Sequence, residues 1–140
     1  MTSNKPIIVA DRPGALANYP HARRVGDLLF VSGMSCRQPD DSHVGVRVDD
    51  DGTIHRDIGV QTRAVIDNLA AILDAADASL TDVVDLTVFL IDMADYEGFN
   101  EVYNEFFDAP TGPARTTVAV AELPHPNLAI EIKAVAYLGR

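Results

Sequence analysis

Residues 57–91 read DIGVQTRAVIDNLAAILDAADASLTDVVDLTVFLI, and the change of period inside this stretch decides the fold. Ile58, Thr62, Val65, Ile66, Leu69, Ile72, Leu73 and Ala76 recur at helical spacing, with Asp57 placed to cap the first turn. The spacing predicts a helix over about 58–77. Residues 79–82 make the turn, and the β-branched, apolar run 83–91 reads as a central strand.

Outward from there, Met93, Tyr96, Phe99, Val102, Tyr103, Phe106 and Phe107 define a second amphipathic helix, ended by the Pro110/Gly112/Pro113 cluster. Two final strands follow, about 115–121 and 128–138, joined by the loop 122–127. On the N-terminal side, 22–25 and 28–33 are extended pieces separated by Gly26-Asp27, a spacing that suits a two-residue hairpin. Residues 7–10 form a short apolar run with the look of an edge strand. Residues 44–55, with Asp50-Asp51-Gly52 at the turn, read as a smaller, solvent-facing hairpin.

The order β-β-α-β-α-β-β gives an α+β fold: a single mixed sheet with two helices packed on one face. The whole chain, residues 1–140, fits one domain. Both faces of the strands carry apolar residues, so the face without helices needs a cover. On so short a chain the expected cover is another subunit.

Composition narrows the function. At 47% hydrophobic and 23% charged the chain is an ordinary globular protein. A formal net charge of −10 disfavours nucleic acid and anionic membranes, because phosphate binding needs clustered cations. The basic residues are lopsided, nine Arg against two Lys, and the planar Arg fork suits bidentate carboxylate contacts. Composition bias would give the same ratio. With one cysteine no intrachain disulfide is possible, and Cys36 has no partnering motif and reads as inert. No signal peptide or membrane span is visible, so a cytoplasmic location is expected. His21, His43, His55 and His125 are scattered without metal-ligand spacing, and no glycine-rich phosphate loop is present.

Two positions carry candidate chemistry. In Gly112-Pro113-Ala114-Arg115-Thr116-Thr117-Val118, an arginine opens a strand of small and β-branched residues. Either the rigid Pro-Ala approach aims Arg115 into a cleft, or Arg115 is a strand-end residue in solvent. Glu131 shares a strand face with Lys133. The pair forms a solvated face, or Glu131 lies against an interface, desolvated and with a pKa raised towards proton transfer.

Taken together, these segments resemble the RidA/YjgF family of enamine/imine deaminases. The resemblance runs over nearly the whole length: Tyr19, Val31-Ser32-Gly33, Thr87-Val88-Phe89-Leu90, the run from Asn100 to Phe107, Gly112-Pro113-Ala114-Arg115 and Ile130-Glu131-Ile132-Lys133-Ala134. It implies a chorismate-mutase-like fold, a homotrimer with sites between subunits, a small carboxylate substrate and no cofactor. It implies that Arg115 pairs with the substrate carboxylate and that Glu131 holds and activates water. Tyr19, Asn100 and the backbone at Gly33 would line the pocket, and Thr117 stands where many members carry a reactive cysteine.

Other segments are similar to the 2-aminomuconate deaminase branch: Tyr19-Pro20-His21-Ala22-Arg23, Ser35-Cys36-Arg37-Gln38-Pro39-Asp40, the excursion between His43 and His55, and Leu123-Pro124-His125-Pro126. That substrate has two carboxylates, and Arg23, Arg24, Arg37 and His125 are candidates for the second. The expected reaction is hydrolysis of 2-aminomuconate to 4-oxalocrotonate and ammonia. A generalist hydrolase of 2-aminoacrylate-type enamines and a non-catalytic ligand-binding regulatory module are the alternatives.

Overall fold

The computed structural model describes residues 4–139. Eight strands and two α-helices follow in the order β1 (Asn4–Ile7), β2 (Ala22–Val25), β3 (Leu28–Met34), β4 (Val46–Val48), β5 (Ile54–Arg56), α1 (Ile58–Ala75), β6 (Val83–Leu90), α2 (Tyr96–Phe106), β7 (Ala114–Ala119) and β8 (Ile130–Tyr137). Six strands form one sheet in the order β1-β2-β3-β8-β6-β7, while β4 and β5 pair as a separate ribbon. Among the described residues only the β6–β7 pairing is parallel, and α2 makes its crossover. The α+β architecture expected from the sequence is the one observed.

Local chemistry fixes the element ends. The Asp57 side chain accepts from the Val60 amide at 3.0 Å and caps α1. The helix stops at Ala75, two residues before the expected end, because Asp77 takes a left-handed φ of 58° and Ala78 N–H returns to Leu73 O. Gly26, at φ 59°, makes the tight β2–β3 turn. Residues 93–95 form a 3₁₀ turn capped by the Asp92 side chain, which moves the start of α2 to Tyr96. The first strand is Asn4–Ile7, earlier than the apolar run at 7–10. It pairs through its backbone with β2, and Pro6 is tolerated because β1 is an edge strand. The last strand begins at Ile130 because the Leu128 and Ala129 amides are taken by His125 O and Gln61 Oε1.

The core lies between the helices and one sheet face. Leu29, Val31, Leu86, Val88, Leu90, Ile130, Ile132, Ala134 and Ala136 pack there with Val65, Ile66, Leu69, Ile72 and Leu73 of α1 and Phe99 of α2. Alternation sends the intervening residues to the opposite face. Phe30 pairs with Val135, and Phe89 lies between Glu131 and Val118. Leu28, Phe30, Val118 and Tyr137 are exposed there, which leaves an apolar face without a layer of its own.

Candidate active site

Arg115 sits one residue into edge strand β7, beside Leu86 of β6, and therefore faces the helices. Its guanidinium carbon lies 4.6 Å from the Tyr103 ring centroid, 5.1 Å from that of Phe99 and 5.7 Å from that of Tyr96. Arg115 Nη2 donates to Tyr96 Oη at 3.0 Å. No carboxylate pairs with Arg115 among the described residues. A half-buried cation held by π-faces, with most of its donors uncommitted, is prepared for an external anion. Burial raises the Tyr103 phenol, against the opposing pull of the Arg115 charge and of a hydrogen bond from Arg115.

Two predicted residues lie on the strand that carries this cation and on the helix that cages it. Thr117 is two positions along β7 on the same face, and its hydroxyl oxygen is buried without a partner. Asn100 lies one helical turn beyond Tyr96, and the two border one shallow groove on α2. Tyr96, Phe99 and Tyr103 were not singled out as site residues in the sequence. Their helical spacing accounts for them as core, and only the fold shows that their rings confine Arg115.

Glu131 is on β8, paired with Phe89, and faces away from the helices. Arg115 and Glu131 thus project from opposite sheet faces, with β6 between their strands, roughly 10 Å apart by strand spacing alone. Burial raises the Glu131 carboxyl above its ordinary range. Lys133, on the same face, directs its ammonium to Val31 O at 3.5 Å. Among the described residues Glu131 has neither an ion pair nor a hydrogen-bond partner.

The strand beside Glu131 is shaped to admit it. Register between β3 and β8 shifts between Val31 and Met34, and Gly33 lies within that irregularity. A Cβ on Gly33 would stand 2.8 Å from Glu131 Oε2, so a side chain there would push the carboxylate aside, although the Gly33 φ is ordinary. Gly33, Tyr19 and Arg37 line one pocket with Arg12, His21 and Asn68. Arg12 reaches this pocket from a loop whose sequence carries no motif.

Arg37 is itself committed, to Asp41 Oδ1 at 2.9 Å and to Gly14 O. Its backbone bridges to His43, whose ring lies 4.3 Å from that of His125. The histidines are scattered in the chain, but two of them meet in space. Asn127 N–H donates to His125 Nδ1 at 3.0 Å and its side-chain amide approaches His43 Nδ1 at 3.4 Å. Burial, with the nearby His125 and Arg37 charges, lowers the His43 pKa. Arg23 and Arg24 stand apart on β2, bonded to Asn4 Oδ1 and Gly26 O. Cys36 is buried, and its thiol is pushed up to about 11.

The structure therefore sorts the predicted residues into two groups. Arg115, Asn100 and Thr117 gather where α2 meets β7; Glu131, Gly33, Tyr19 and Arg37 gather around the β3 irregularity, with His125 beside His43. Among the described residues no helix is long and apolar enough to cross a membrane.

Comparison with known proteins covers nearly the whole chain. The family model described as endoribonuclease L-PSP matches residues 9–138. A RutC family protein of Pyrococcus abyssi is 38% identical over 134 residues, 95% of this chain and 97% of that protein. Escherichia coli TdcF, whose name describes a reactive intermediate deaminase, is 36% identical over 137 residues, 94% of this chain and 96% of its own. The crystal structure of E. coli TdcF with bound serine has a TM-score of 0.79 and 34% identity, covering 96% of this chain and 99% of that one. The YjgF gene product of E. coli gives a TM-score of 0.77 and 32% identity, covering 95% and 98%.

Proposed function

Since the chain belongs to the RidA/YjgF family, the one whose model is described as endoribonuclease L-PSP, we propose that it hydrolyses a 2-amino-2-enoate, through its imine, to a 2-oxo acid and ammonia. The observation that carries this reading is Arg115: a half-buried guanidinium in an aromatic cage without a carboxylate partner among the described residues. The name of TdcF and its serine-bound crystal structure agree with a small amino-acid-like substrate. A nuclease role is disfavoured by the net charge of −10.

In the proposed reaction the enamine tautomerises to the imine and Arg115 holds the C1 carboxylate, which presents C2 for attack. Glu131, ionised and poorly solvated, takes a proton from water as the water oxygen bonds to C2. It returns that proton to the nitrogen, giving a carbinolamine; Glu131 then carries the hydroxyl proton to the amino group, and the C–N bond breaks as ammonia leaves and the carbonyl forms. The imine carbon is already electrophilic, so the sequence requires no cofactor.

Arg115 and Glu131 belong to one site only if a neighbouring copy supplies one of them, because they face opposite ways from different strands. The exposed Leu28, Phe30, Val118 and Tyr137 give such a copy a surface to cover. A homotrimer with sites between neighbours is therefore part of the proposal.

2-Aminomuconate is the proposed substrate, with Arg12 and Arg37, which line the pocket beside Gly33, as the cationic surroundings of a second carboxylate. Freshly generated 2-aminomuconate should release ammonia with a kcat/KM well above that of 2-aminoacrylate. Equal values would assign the chain to general enamine/imine hydrolysis, and saturable binding of a 2-oxo acid without ammonia release would make it a binding module.

A further inference from the structure

Tyr96 has one bond accounted for and one to give. Its oxygen accepts from Arg115 Nη2 at 3.0 Å, and among the described residues no acceptor takes its own hydroxyl proton. A phenol already accepting from a cation is polarised into a stronger donor. The ring is the first residue of α2, half-buried and flanked by the Asn100 groove, while Phe99 and Tyr103 confine the guanidinium from behind. Beyond its bonds to Tyr96 and Tyr103 the guanidinium keeps N–H groups to offer, and with the Tyr96 O–H beside them both can reach an anion.

We propose that the Tyr96 hydroxyl is a second donor to the carboxylate held by Arg115, so that the substrate's C1 carboxylate is bound by a guanidinium–phenol clamp. The proposal rests on the carboxylate-binding role of Arg115. A carboxylate has two oxygens with in-plane lone pairs, and the clamp offers each a donor of different chemistry. An amide presents only one acceptor oxygen and no charge, so the phenol should discriminate between the two.

The test uses the full-length protein, with pyruvate as a 2-oxo carboxylate probe and pyruvamide as its neutral counterpart. Tyr96→Phe should weaken pyruvate binding about tenfold, leave pyruvamide binding unchanged, and raise KM for the enamine by a similar factor with little change in kcat. Arg115→Ala should abolish pyruvate binding. If Arg115→Ala binds pyruvate normally, the parent reading fails. If Arg115→Ala loses binding while Tyr96→Phe keeps it, only the clamp fails. Equal weakening of pyruvate and pyruvamide, or a fall in kcat at constant KM, also overturns it. The chain has no Trp and four Tyr, so near-ultraviolet absorbance reads tyrosine directly. Pyruvate should red-shift that absorbance in the unmodified protein, and no shift at saturation would overturn the clamp without any variant.

Discussion

The Glu131 carboxylate lies across Gly33, where a methyl group would stand 2.8 Å from Oε2 and 2.9 Å from Cδ. These atoms end a flexible side chain, and the Gly33 φ lies outside the left-handed region, so Gly33→Ala should fold. It should displace the carboxylate and lower kcat at least about tenfold, with only a small change in melting temperature. Steady-state ammonia release and a thermal melt on one preparation check both halves.

The pH dependence follows from the burial of Glu131, which raises its folded-state pKa. As the proposed base it must be ionised, so kcat/KM should fall on acidification at a higher pH than for an ordinary exposed glutamate. Stability has the opposite sign. The raised pKa contributes stability that is complete below the unfolded value and lost as pH rises through the folded value. Glu131→Gln should therefore raise the melting temperature at neutral pH, with the gain vanishing below the ordinary carboxylate range, while kcat falls about a hundredfold or more.

Mixing variants tests whether neighbouring copies share a site. Arg115→Ala and Glu131→Gln should each be nearly inactive alone. Denatured together in equal amounts and refolded, they should recover about a quarter of the unmodified activity, because each site needs one intact residue from each neighbour. Activity no higher than that of the separate variants would place both residues in a single chain's site.

Gln61 is buried and ties three backbone groups, donating to Val44 O at 3.2 Å and Asn127 O at 2.8 Å and accepting from Ala129 N at 2.8 Å. Gln61→Leu leaves the Ala129 amide and the two carbonyls without this partner. A loss of about 2–4 kcal/mol is expected in urea unfolding. The loop before Glu131 should loosen with it, visible as faster amide exchange at Ala129.

Cys36 should be chemically quiet. Its buried thiol, pushed up to about 11, has almost no thiolate at neutral pH. A disulfide reagent should label it only after denaturation, and Cys36→Ala should keep normal turnover. Rapid labelling of the native protein would contradict the buried placement.

Periodicity revealed much of the fold. The α1 face from Ile58 to Ala76 and the β-branched run into Leu90 match their elements closely, since burial against one layer imposes a regular spacing. The first strand was less legible because Asn4 and Lys5 pair through backbone groups that hydrophobicity does not register. For the site, Arg115 and Glu131 were marked by an unusual residue in an apolar strand. Tyr96, Arg12 and His43 carried no such mark: Tyr96 fits a helical core stripe, and the other two come near their neighbours only through long-range loop packing.

If Arg115 and Glu131 act on one substrate as proposed, their opposed directions tie specific activity to chain concentration. A lone chain would carry both functional groups and still be unable to apply them to one molecule. Turnover would then depend on encounters between chains. Progressive dilution should reduce specific activity per chain, and concentrating the sample should restore it.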